Sequence, residues 1–168
     1  EPEQFARSLF DSLVPHIAVV DESGVIVAVN RAWRDFAAAN MGLTAHVSEG
    51  ANYLDVCDRA KGPGTEGTAA FADGIRTILA GRDEHFTLEY PCHSPNGRRW
   101  FFARATPFAG PGPRRAVITH HDITERKQVE QERERFFSIS LELIGVIGFD
   151  GQMRRFNPSF ERSLGFRH

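Results

Sequence analysis

Apolar residues along the chain follow two rhythms, one with helical spacing and one with strand spacing. Phe5, Leu9, Phe10 and Leu13 recur at helical intervals over residues 3–13, and β-branched runs at 17–20 and 25–29 follow, separated by Asp-Glu-Ser-Gly. This pattern predicts a short helix leading into a β-hairpin. Asn30 stands ahead of residues 31–40, where Ala32, Trp33, Phe36 and Ala37 share one helical face. Its side chain is placed to accept from a backbone N–H left unpaired at the helix start. Residues 41–67 loosen into polar and Gly-rich sequence around Tyr53, Leu54, Val56 and Cys57, read as short helices joined by loops. Phe71, Ile75, Ile78 and Leu79 restore helical periodicity over 68–80, and Gly81 supplies a stop. Strand-like segments follow at 85–92, 98–107 and 114–121, joined by Ser-Pro-Asn-Gly and Ala-Gly-Pro-Gly-Pro. Two strands, a helical middle and a three-stranded meander make an α+β domain on one five-stranded antiparallel sheet.

Residues 124–137 differ in kind, with four Glu and four Lys or Arg and neither Gly nor Pro. They read as a solvated helix, supported weakly by Arg126 with Glu130, Glu130 with Arg133 and Glu132 with Arg135. Val129, Phe136 and Leu143 recur every seven residues, as do Ile123, Glu130 and Phe137. The short seam fits either a dimeric coiled coil or a monomeric spacer helix. Sliding the sequence on itself by 127 residues lays 144–157 over 17–30, with Gly151 on Gly24, Asn157 on Asn30 and Phe160 on Trp33. The resulting division is a first domain at 1–123, a charged linker helix at 124–137, and the start of a second copy at 138–168.

Composition narrows the classes. The 168 residues exceed one average domain slightly, and 41% hydrophobic with 25% charged residues describes a chain with a core. With 20 Lys and Arg against 22 Asp and Glu, the net charge of −2 offers no general attraction to nucleic acid or anionic membrane. Cys57 and Cys92 are too few for a disulfide framework or a four-ligand zinc site and fit a reducing compartment, so the expected location is the cytoplasm. There is no membrane-spanning run or signal peptide, and the start at Glu1 suggests an excised piece whose parent has room for an anchor elsewhere. No phosphate-binding loop, nucleophile elbow or interpretable carboxylate pair suggests catalysis by this chain. Asp55 and Asp58 read as a solvated helix face, and Arg98, Arg99, Arg114 and Arg115 as exposed turn charges.

A hairpin, an Asn before an aromatic-bearing helix, and three strands ending in "HHDITERK" ahead of a charged helix resemble the PAS sensory domain family over residues 5–131. The most specific part is Asp122, Ile123 and Thr124, followed by Glu125, Arg126 and Lys127, which in that family marks the exit from the last strand into an output linker. Asp122 or Thr124 would also satisfy free N–H groups at the helix start, so cap and signal relay would be one contact. The stretch "LEYPCHSPNGRRWFFARATPF" at 88–108 resembles a subgroup common in bacterial multidomain sensors, particularly histidine kinases. The resemblance implies a PAS fold with helices on one face of the sheet, a two-component sensor kinase as parent, and a diguanylate cyclase or phosphodiesterase as the alternative output. It also makes 138–168 the severed start of a second PAS domain.

The resemblance further implies a space between the concave sheet face and the middle helices. Strand alternation separates Trp100, Phe102, Arg104 and Thr106 from Phe101, Ala103 and Ala105, and the family assigns the second set inward. The same alternation turns Ile118 and His120 inward and Thr119 and His121 outward. Candidate ligand contacts are then Phe36, Tyr53, Cys57, Phe71, Ile75, Leu88, Tyr90, Phe101, Ala103, Ile118 and His120. His120 has two readings, a ligand contact that switches charge near neutral pH and a core histidine satisfied by a backbone group or Tyr90. Tyr90 and Cys57 similarly read as packing residues or ligand contacts. Trp100 and Phe102 would form an outer apolar patch, covered by the leading helix or by a second subunit, and with Val129 and Phe136 they are the candidate homodimer interface. The reactive-cysteine motif of flavin-binding members is absent around Cys57, and the long helix lacks the axial His of haem-binding members, so the cofactor is left open with flavin and haem disfavoured. Adjacent histidines on one strand point to opposite faces, so no metal site is assigned. Two functions remain: a sensing module that takes a small molecule and relays to a downstream output domain, and a ligand-free dimerisation module.

Overall fold

The computed structural model describes residues 1–39, 47–61, 65, 67–94 and 97–165. Residues 41–46 of the loosened middle segment lie outside that set. The chain divides into two compact units, Glu1–Thr124 and Glu125–His168.

In the first unit α1 (Pro2–Ser12) leads into the hairpin β1 (His16–Val20) and β2 (Ile26–Val29), then α2 (Arg31–Ala39), α3 (Tyr53–Arg59) and α4 (Thr68–Leu79). Three strands complete it: β3 (Phe86–Ser94), β4 (Gly97–Pro107) and β5 (Ala116–Asp122). They form one five-stranded antiparallel sheet, as expected, in the order β2-β1-β5-β4-β3. Strand boundaries move modestly, since β3 starts one residue later and runs on to Ser94, while β5 is Ala116–Asp122 rather than 114–121.

The hairpin turn follows from its sequence. Asp21 Oδ1 accepts from Ser23 N and Val25 N, both at 2.9 Å, and Gly24 takes φ +83°, a left-handed conformation that costs glycine little. Asn30 ends the hairpin as predicted: its Oδ1 accepts from Trp33 N at 3.1 Å and from Ile17 N at 2.9 Å. Its amide donates to the carbonyls of Leu13 and Pro15, so one fully buried side chain ties hairpin, helix start and incoming chain together.

The core lies between the sheet and α4. Ala18, Val20, Ala103, Ala105, Ala116 and Ile118 form the sheet's contribution, and Phe71, Ala72, Ile75 and Ile78 that of α4. The small side chains let the helix approach closely, and burying Ile75 or Ile78 completely is worth roughly 2–3 kcal/mol each. Gly74 belongs to the same approach, because a Cβ there would lie 2.3 Å from Phe86 Cγ. The leading helix α1 packs instead on α2, with Arg34 bridging Asp11 at 2.7 Å, and leaves Phe5 and Leu9 exposed.

The second unit continues α5 (Thr124–Ile139), two residues longer than the predicted 124–137, into the hairpin β6 (Gly145–Ile147) and β7 (Met153–Phe156) and then α6 (Pro158–Leu164). Lys127 pairs with Glu130 at 3.6 Å along α5. Arg155 pairs with Glu134 and lies 4.2 Å from the centroid of the Phe137 ring, holding β7 against α5.

Candidate functional site

Alternation on β4 and β5 turns Phe101, Ala103, Ala105, Ile118 and His120 into the interior, as expected. Between these strands, the start of β1 and helices α2 and α3 lies a cavity of about 160 Å³. Six of the expected residues line it: Phe36, Tyr53, Cys57, Tyr90, Phe101 and His120. Phe71 and Leu88 line an adjoining space of about 40 Å³ that shares Tyr53, Cys57, Tyr90 and His120. Ile75, Ala103 and Ile118 do not reach either space, because each is packed solidly between sheet and α4. In this structure they line the core rather than the cavity.

Sequence reasoning missed His16, Trp33, Val47, Thr68 and Cys92 in the cavity wall. His16 was legible only through the sheet register, which sets it opposite His120 on β5. Its ring stacks on Phe36 with centroids 4.6 Å apart. Trp33 donates its indole N–H to the carbonyl of Val47 at 2.8 Å, freeing its ring face to pack on Tyr53.

His120 is the polar centre. Tyr90 Oη lies 2.6 Å from Nδ1 and Tyr53 Oη 3.2 Å from Nε2, while Trp33, Phe71 and Tyr90 meet the ring edge to face. Burial pushes its pKa down to about 3, and the nearby His16 and His121 act in the same direction. The imidazole is therefore neutral at physiological pH, with one N–H and one lone pair, so one tyrosine donates to it and the other accepts. Of the two readings of His120, this arrangement favours the satisfied histidine over a charge switch near neutrality. Burial likewise raises both tyrosines and pushes Cys57 up to about 11, so its thiol stays protonated and unreactive. The line Tyr90–His120–Tyr53 thus runs along the cavity wall, with Cys57 beside it.

The exit from β5 adjoins this wall. Phe101, a cavity residue, is the register partner of Asp122, and Ala103 that of His120. Asp122 Oδ1 accepts from Thr124 N at 2.9 Å, which is the expected cap. The Thr124 hydroxyl does something different: its Oγ1 accepts from Trp100 N on β4 at 3.0 Å, while Ile123 N donates to the Trp100 carbonyl at 2.8 Å. The junction is thus a clamp between β4 and the helix start as well as a cap. Away from the cavity, Trp100 and Phe102 are half-buried on the outer face, while Val129 and Phe136 on α5 are exposed. Arg99 and Arg115, expected as exposed turn charges, are half-buried and lie about 6 Å over the rings of Phe36 and Phe108.

A family model for the PAS fold matches residues 10–128. A curated relative, an uncharacterized 104.1 kDa protein encoded in the hypE 3′ region of Rhodobacter capsulatus, is 43% identical over 124 residues. That match covers 72% of this chain and 13% of the relative, so the chain spans about an eighth of that protein's length. Among solved structures, a PAS domain from Colwellia psychrerythraea superposes with a TM-score of 0.51 at 18% identity, covering 75% of this chain and 100% of that one. The sensor region of a sensor histidine kinase superposes with a TM-score of 0.50 at 22% identity, covering 67% and 40%. These two likenesses show the fold alone. The chain belongs to the PAS fold family: it is a signal-sensing, regulatory domain of a signalling protein and not a catalytic one. Among the described residues no helix is long and apolar enough to cross a membrane.

Proposed function

We propose that the first unit takes up a small neutral molecule in the cavity beside His120 and passes its occupancy through the Asp122–Thr124 junction into α5, as the cytoplasmic input domain of a sensor histidine kinase. The observation that carries this reading is that β4 and β5, two of the strands walling the cavity, are the two that hold the junction. Phe101 faces the cavity and pairs with Asp122, and its neighbour Trp100 holds Thr124. A ligand that displaces Phe101 therefore shears β4 against β5 at the helix start.

Neutrality follows from the wall. Its described residues bring no carboxylate or amine, and burial keeps His16, His120, Tyr53, Tyr90, Cys57 and Cys92 toward their uncharged forms. A charged ligand would be desolvated there without a partner. The volume suits one ring, since an apolar cavity of roughly 150 Å³ accommodates benzene. Kinase output rests on the resemblance of residues 88–108 to domains of sensor kinases, and the 104.1 kDa relative, of which the chain spans 13%, has room for an output domain. Homodimerisation through Val129, Phe136 and the outer face at Trp100 and Phe102 completes the proposal, because exposed Val129 and Phe136 stand seven residues apart on one helix.

Native mass spectrometry of the chain, followed by autophosphorylation of the parent with the recovered molecule, tests the reading. The expected result is a retained molecule of one-ring size that alters output. Thr124→Val should leave its binding unchanged while reducing its effect on output several-fold. If no molecule is retained or can be titrated in, and output follows only dimer concentration, the domain is a ligand-free dimerisation module. If the parent makes cyclic diguanylate instead of phosphohistidine, the kinase assignment fails.

A further inference from the structure

The second unit reproduces the asparagine-centred bonds of the first unit's opening, although its turn differs, with Gly148 where Asp21 stands. With the 127-residue shift, Asn157 Oδ1 accepts from Ile144 N and Phe160 N, both at 3.1 Å, where Asn30 accepts from Ile17 and Trp33. Its amide donates to the Ser140 and Glu142 carbonyls, the counterparts of Leu13 and Pro15. The hairpin register is equivalent, including a bulge at Val146/Ile147 in place of Val19/Val20, and Gly151 takes φ +77° where Gly24 takes +83°. An Asn at the end of a hairpin is common; the same four side-chain bonds, register, bulge and left-handed glycine together are not a consequence of an isolated β-turn.

What the second unit lacks is equally specific. In the first unit β1 pairs with β2 on one edge and with β5 on the other, from His16↔His120 to Val20↔Ala116. Among the described residues β6 pairs with β7 alone, leaving its outer edge open. Val20 and Ile26 are buried to 0% and 1% exposure, whereas their counterparts Ile147 and Met153 are 63% and 45% exposed. Polar hairpins bury little and can stand on a surface, but this one carries core residues on an open face. Exposed hydrophobic strand edges are surfaces that proteins cover.

We propose that residues 140–164 are the opening of a second copy of this fold, and that the edge of β6 with the Ile147 and Met153 face docks the remainder of that copy, lying C-terminal to His168 in the parent. The occupant is specific: a strand antiparallel to β6, about a hundred residues further along as β5 is from β1, with an apolar residue at every second position, and a helix equivalent to α4 on its inner face. The inference is independent of any ligand in the first unit.

Hydrogen exchange on the parent and on the 168-residue chain tests it. In the parent, the amides of Gly145 and Ile147, which face the open edge because Ile144 N is already bonded to Asn157, should exchange at least tenfold more slowly than in the short chain and approach the protection of Ala18 and Val20. Ile147→Asp in the parent should abolish that gain while leaving β1 protected. Equal protection of β6 in both chains at every concentration overturns the proposal, because the face is then covered from within residues 1–168. Protection in the short chain that grows with concentration also overturns it, with a second copy of this chain as the occupant. A parent sequence that lacks such a strand and helix after His168 overturns it without an experiment.

Discussion

Acid should destabilise the first unit through one buried ring. Burial pushes His120 to about 3 in the folded protein, against roughly 6.5 in an unfolded chain. Between those values the unfolded chain binds a proton that the folded one refuses, so stability is complete above 6.5 and declines as the pH falls toward 3. At about 1.4 kcal/mol per unit, this single group removes roughly 3 kcal/mol between pH 7 and pH 4. For a domain of this size the melting temperature should fall by about 6–12 °C over that range. His16, which burial also lowers, adds to the effect in the same direction. Comparison with His120→Gln isolates the main term. The variant loses the Tyr90 and Tyr53 bonds and is less stable at pH 7, but its stability should be flatter with pH by about 3 kcal/mol. Urea melts at half-unit intervals from pH 4 to 7 measure the difference. Parallel curves would refute the argument, as would an NMR titration of the wild-type His120 ring with a midpoint near 6.5, and the latter would restore a near-neutral switch.

Three further outcomes follow from the packing. Asn30→Ala strands the Ile17 and Trp33 amides and two carbonyls, and should cost about 2–4 kcal/mol in a urea melt, with Asn30→Asp intermediate because it keeps the acceptor. Gly74→Ala should destabilise by about 1–3 kcal/mol, despite the better helix propensity of alanine, and a smaller residue at Phe86 should recover part of the loss. Trp100→Asp should convert a dimer to monomer at micromolar concentration in sedimentation if the outer sheet face is the subunit contact; a dimer that survives the change moves the seam to Val129 and Phe136.

The sequence carried local structure and strand alternation well, for physical reasons that also mark where it stopped. Asn30 was legible because a capping side chain acts within three residues of itself, and Phe101, Ala103 and His120 because alternation fixes a side once one neighbour is placed. Facing inward does not decide whether a residue touches a cavity. Ala103 and Ile118 point the same way as Phe101 and His120, yet the former pair lies within the packed core while the latter pair borders the cavity, where His120 meets α4 through the Phe71 ring, a long-range property of helix placement. His16 and Cys92 were missed for the same reason, since only the register of β1 on β5 and of β3 on β4 brings them to the wall.

Thr124 illustrates how much such a register changes a function. From sequence it is one of two equivalent candidates to cap a helix, and a cap alone would report only on the helix it starts. Asp122 takes that role, which leaves the Thr124 hydroxyl to accept from Trp100 N, a residue on another strand. Because the Trp100 carbonyl also receives Ile123 N, any slide of β4 along β5 must break or carry both bonds. Two bonds to one residue are worth about 1–3 kcal/mol together, enough to bias a two-state helix start by a factor of ten or more without locking it. Removing only the hydroxyl with Thr124→Val leaves the Ile123 bond in place, so the junction keeps its fold while the proposed relay from the wall should be weakened. Asp122→Ala does the opposite, loosening the cap with the β4 bonds intact. The two variants should therefore separate in the parent: Thr124→Val lowers the ligand-dependent change in output at unchanged basal level, and Asp122→Ala shifts the basal level. Equal effects of both on both quantities would mean that the junction acts as a cap alone.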